Sequence, residues 1–157
     1  MRRWTAVAAA VLAVPFACSD PSGPRRVAPD QLRLAIVSGD GQRAQVAAAV
    51  PAAGLVALTD DYELFPEPLI VQVTDTAGRA LSRDELPPNT AVGWSVLDAG
   101  CGEPFTDMSL PDADGRAEGW AVKGTKAGPC RVEARGVMGL LPVVYAQFNL
   151  ELLPGPV

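Results

Sequence analysis

The sequence predicts an all-β sandwich occupying about residues 31–153. Three observations carry this. Five separate runs alternate apolar and polar residues with a period of two, the signature of half-buried strands. Clusters of Gly, Asp, Ser and Pro separate the runs, as turns require. The 157 residues include 15 glycines and 15 prolines, which favours many short elements over long helices. A chain of this length has room for one domain, and 48% hydrophobic residues are enough to give it a core.

The elements follow in order along the chain. Met1-Arg2-Arg3 is basic, and Trp4 to Phe16 is an uncharged apolar run. That run is shorter than the roughly 20 residues a spanning helix needs, and it fits the apolar region of a signal peptide. Phe16-Ala17-Cys18-Ser19 resembles a bacterial lipoprotein cleavage site, with Pro15 where the family has an aliphatic residue. The resemblance implies removal of residues 1–17 and acylation of Cys18, which would anchor the protein in the cell envelope. Plain secretion is the alternative. Residues 18–30 are rich in Pro, Ser and Gly and read as a short, semi-stiff lipidated tether.

The strand runs begin with Leu32, Leu34 and Ile36. Leu69, Val71 and Val73 form the second, and Val92, Trp94 and Val96 the third. Val132 and Ala134 mark the fourth, and Val144, Ala146, Phe148, Leu150 and Leu152 the fifth. Arg116 to Lys123 adds another strand, and Phe105 to Leu110 is a weaker edge strand. Residues 44–65 break the rhythm and read as a strand remnant or short helix followed by an inserted loop.

If Cys18 carries lipid, Cys101 and Cys130 remain, and an exported protein with two such cysteines most simply forms one disulfide. A pair of metal-binding thiolates is the rival, without histidine or a C-x-x-C spacing to support it. Trp94 is expected in the core.

Several chemistries are excluded or weakened. The chain has no histidine, which removes Ser-His-Asp and Cys-His catalysis and histidine-ligated zinc. A net charge of −5 disfavours nucleic acid or an anionic membrane surface as partner. Gly39-Asp40-Gly41-Gln42-Arg43-Ala44, with Asp60 downstream, matches a dinucleotide fingerprint on paper, but no βαβ pattern follows. Asp112-Ala113-Asp114-Gly115 resembles a calcium loop, yet Leu110 and Ala121 stand where an EF-hand needs acids. No cofactor is expected.

An ordered set of segments carries a wider resemblance. Ser38-Gly39-Asp40-Gly41-Gln42 comes first. Glu67 to Asp75, Gly78-Arg79, Val92 to Val96 and Asp112 to Ala117 follow. Together they look like a bacterial Ig-like domain of the invasin/intimin type, found in surface proteins and small lipoproteins. The resemblance implies an Ig-like sandwich of about seven strands, acting without catalysis as a spacer, adhesion or interaction module. That family runs almost directly from the Gly-Asp-Gly-Gln segment into the Pro-Leu strand, whereas here Arg43 to Phe65 intervenes. The acidic, aromatic stretch Asp60, Asp61, Tyr62, Glu63 and Phe65 in this insertion is therefore the expected contact with a partner, another envelope or surface protein. The alternative is a module binding carbohydrate or another small ligand, which would need Trp120, Tyr62 and Tyr145 exposed together.

Overall fold

The computed structural model describes residues 25–47, 63–138 and 141–155. Cys18, Asp60, Asp61 and Tyr62 lie outside the described residues. Among the described residues, eight strands form two sheets. β1 (Arg33–Ser38), β3 (Leu69–Thr74) and β6 (Arg116–Gly119) make one, in the order β1-β3-β6. β2 (Arg43–Gln45), β4 (Thr90–Val96), β5 (Met108–Ser109), β7 (Gly128–Met138) and β8 (Leu141–Leu153) make the other, in the order β2-β8-β7-β4-β5. All pairings are antiparallel except β2 with β8. The first described strand thus lies in one sheet, and after a turn the chain pairs in parallel with β8 of the other. With strands lettered as in immunoglobulin-type sandwiches, the sheets read A-B-E and G-F-C-C′, with β2 as the second half of a first strand that switches sheets.

The alternating residues of both sheets meet in one core. Val71, Val92, Trp94, Ala117, Val132, Phe148 and Leu150 are all buried in it. Trp94 and Phe148 face each other with ring centroids 5.9 Å apart and tilted by 42°. Trp94 Nε1 donates to Ser109 Oγ at 2.9 Å, which satisfies the one polar atom of the indole. Gly119 lies against the indole, where a Cβ would clash with the ring. A smaller cluster of Leu32, Val73, Leu81 and Leu86 caps one end.

The Gly-Asp-Gly-Gln segment is a clasp at the sheet switch. Gly39 and Gly41 have φ of 92° and 73°, the left-handed region where glycine is favoured. Asp40 Oδ1 accepts the Asn149 N–H at 2.7 Å. Gln42 Nε2 donates to the carbonyls of Gly39 and Glu67 at 2.8 and 3.0 Å, and its Oε1 accepts the Glu67 N–H at 2.9 Å. One short turn therefore ties β1 to the start of β3 and to β8.

Three sequence expectations shift. Ile36, on the edge strand β1 beside an irregularity in register, stays partly open although it alternates with Leu34. The Arg116 to Lys123 strand ends at Gly119, and Ala121 and Val122 continue only as single bridges to Pro104 and Leu64. Of the expected insertion, the two ends belong to the sandwich: Ala44 lies in β2 and Leu64 bridges Val122. The remainder, residues 48–62, falls outside the described residues.

Gly115 joins two features. Its φ is 77°, and a Cβ there would run into the Leu81 carbonyl oxygen. Beside it, buried Gln72 donates through Nε2 to the carbonyls of Asp114 and Val73 at 2.8 and 3.1 Å. Gly115→Ala is expected to lower the unfolding free energy by more than the roughly 1 kcal/mol of the conformational strain alone. A urea titration against the wild-type chain checks this, and an unchanged midpoint contradicts it.

Candidate functional site

The acidic turns among the described residues have structural roles. Asp112 Oδ1 accepts the backbone N–H groups of Asp114 and Arg116 at 2.9 and 2.8 Å, so this carboxylate closes a turn. Asp75 does the same for Ala77 and Arg79 at 3.0 and 2.9 Å. No group of three or more Cys, Asp or Glu side chains among the described residues is placed to hold a metal ion. Cys101 and Cys130 form a disulfide, with Cα atoms 5.5 Å apart. It links the segment after β4 to the start of β7, with Cys130 fully buried.

Of the expected contact residues, Glu63 is exposed, and its carboxylate takes Lys123 Nζ at 3.3 Å. Phe65 is corrected: its ring is 1% exposed and lies in the main core, so it is not available to a partner. The sequence placed it with the acidic, aromatic stretch of the 44–65 insertion, where no alternation marks a buried side. In the fold its N–H donates to the Ala121 carbonyl at 3.0 Å, which draws the ring inward. Trp120 is half-buried just past β6, and its Nε1 donates to Glu118 Oε1 at 2.7 Å, while exposed Tyr145 stands on β8 in the other sheet. These two aromatics therefore do not share a strand or a sheet.

The apolar surface lies elsewhere. Phe105, Met108 and Leu110 are 59%, 61% and 61% exposed, within six consecutive positions. β5 is the last strand of its sheet and meets β4 through only two residue pairs, Val92↔Ser109 and Gly93↔Met108. Ser109 turns inward to Trp94, so alternation sends Met108 and Leu110 to the opposite side. Exposed acids Glu103, Asp107 and Asp112 flank the three apolar residues along the chain. An edge strand with large exposed side chains is a ready site for another chain. The periodicity placed an edge strand here but could not show exposure. The signal was the cluster of three large apolar residues in a segment with two prolines and three acids.

The charged groups that depart from ordinary titration are structural. Asp98 is held below the usual carboxylate range, chiefly by the Arg131 guanidinium and then by the Arg131 backbone N–H. Their closest approach is 2.7 Å. Asp75 is lowered first by the Arg79 backbone N–H, and Glu85 first by the Ser82 backbone N–H. Folded values below the unfolded ones mean that the stability these groups lend is present above the ordinary carboxylate pKa of about 4. It is lost as pH falls through the lower folded values. Thermal melts are therefore expected to be flat near neutrality and to fall on that acid limb, less steeply in Asp98→Asn. An identical acid limb in that variant contradicts the assignment.

Among the described residues, no helix is long and apolar enough to cross a membrane. No protein-family model matches this sequence, and no curated protein matches it either.

Proposed function

We propose that this chain is a non-enzymatic display module of the cell envelope, anchored by acyl chains on Cys18 and acting through protein contact. The observation that carries the contact half is the exposed apolar edge at Phe105, Met108 and Leu110, presented by a sandwich that a disulfide stiffens. The N-terminal pattern that ends in Ala17-Cys18-Ser19 supports the anchor. The ordered segments from Ser38 to Ala117 and the A-B-E/G-F-C strand order support kinship with bacterial Ig-like domains of the invasin/intimin type. In this reading the domain is a rigid carrier, residues 18–30 give reach, and the β5 edge meets another envelope protein. Hydrophobic anchors in an acidic surround suit a partner with apolar side chains and basic neighbours.

Photo-crosslinking residues placed at positions 105, 108 and 110 in cells test it, with position 147 on the polar outer face as control. The expected result is a discrete protein adduct from the first three and none from the control. Phe105→Ser with Met108→Ser and Leu110→Ser should abolish complex formation while changing stability by less than about 0.5 kcal/mol per site, as exposed positions do. Equal labelling from all four positions contradicts the site.

A further inference from the structure

The chain enters the fold beside a cleft of about 480 Å³, in the size range of small-ligand sites. Arg26 and Arg83 line it, with Leu86, Asn89, Thr90 and Leu110. Asp84 is the acid in its wall. The Val27 N–H donates to the Glu85 carbonyl at 2.8 Å. That bond fixes the segment after Arg26 beside the 3-10 turn Arg83–Glu85, and so keeps the two arginines together.

Their charge is uncommitted. Arg43, Arg79, Arg131 and Arg135 all have carboxylate partners, whereas neither Arg26 nor Arg83 is ion-paired among the described residues. Arg25 and Arg33 lie in the same N-terminal stretch and also lack a carboxylate partner there. Acids share this end, Asp30 in the same stretch and the Asp112–Asp114 turn beside Arg83 through the Arg83 N–H to Ala113 carbonyl bond, so the positive charge is local to the two arginines of the cleft. Guanidinium groups match phosphate oxygens through paired hydrogen bonds. The apolar part of the wall, Leu86 with Pro87 and Pro88, suits the carbon skeleton next to a phosphate.

The place of the cleft along the chain says what it faces. Arg26 is eight residues past Cys18, so it can stand no more than about 29 Å from that residue. We infer that this cleft docks the phosphate of an anionic phospholipid headgroup in the leaflet that holds Cys18, so that the domain leans on the membrane with its N-terminal end. This rests on the anchored reading above.

The test uses the full chain with Cys18→Ser, so that no acyl group contributes. Binding is measured to phosphatidylcholine vesicles with and without about one-third phosphatidylglycerol. The neutral vesicles report what the apolar N-terminus contributes, and the attraction of Arg2 and Arg3 to anionic lipid is common to every variant compared. Binding should be stronger on the anionic vesicles and weaken with salt. A cation near such a surface is worth about a factor of five, so Arg26→Gln with Arg83→Gln should remove about thirty-fold. Arg43→Gln with Arg131→Gln makes the same change in net charge at the far end of the sandwich and should leave binding in place. Equal loss from both pairs, or no preference for anionic vesicles, overturns the inference. So does a thermal shift with inorganic phosphate without vesicle binding, which would make free phosphate the ligand. The acylation state of Cys18 is read separately by mass, so failure of the anchor and failure of the cleft are distinguishable.

Discussion

Phe148→Ala is expected to lower the unfolding free energy by about 3–5 kcal/mol, the range for a large aromatic removed from a closed core. The ring is fully buried on β8, meets Trp94 over β7 on the inner face of the same sheet, and sits among residues from both sheets. Truncation removes its own buried area and strips one face of the indole. The neighbouring strands are held by the β4–β7 and β7–β8 ladders and cannot close the gap freely. A urea titration should show a lower midpoint with an unchanged slope. Tyr145→Ala is the control, since it removes an exposed ring from the same strand and should cost under about 0.5 kcal/mol. Equal effects from the two substitutions would mean that the core is not centred where the structure places it.

Loss of the Cys101–Cys130 disulfide should cost a similar amount. The linked residues are 29 apart in sequence, and closing a loop of that size corresponds to about 3–4 kcal/mol in the chain-entropy picture. Cys101→Ala with Cys130→Ala, and the wild-type chain under reductant, should shift the denaturation midpoint alike. A midpoint indifferent to reductant would contradict a closed bridge in the purified protein. The bridge joins the chain beyond β4 to the first residues of β7. Its loss should therefore loosen the 97–107 connection ahead of β5, and hydrogen exchange there should rise before the β7–β8 ladder is affected.

Much of the sandwich was legible because alternation and turn chemistry are local. Strands β3, β4, β7 and β8 were visible as period-two runs, and Trp94 could be placed in the core from its neighbours Val92 and Val96. The sheet switch was not. Gly-Asp-Gly-Gln looks like a turn, but its tie to Glu67 and Asn149 joins residues 25 and 109 positions apart, which no local pattern reports. Ile36 and Phe65 were misplaced for the same reason. An apolar residue on an edge strand is open, and one at the end of an insertion is buried, according to what the rest of the chain lays over it. The β5 edge was half-legible: its weak periodicity marked a short edge strand, while its exposure depends on the absence of another strand beyond it among the described residues. The Arg26–Arg83 cleft was not legible, since 57 positions separate the two residues and long-range contacts, the Val27–Glu85 hydrogen bond and the packing of Val27 on the Leu81–Leu86 cluster, bring them together.

The central claim, an anchored and disulfide-closed display domain, is tested most directly by the intact mass of the protein extracted from its native envelope, before and after reduction. The account predicts a chain that begins at Cys18, carries the mass of its acyl groups and gains two hydrogen atoms on reduction. A chain that begins elsewhere and carries no lipid would contradict it, and the protein would then be a secreted domain without a membrane to lean on.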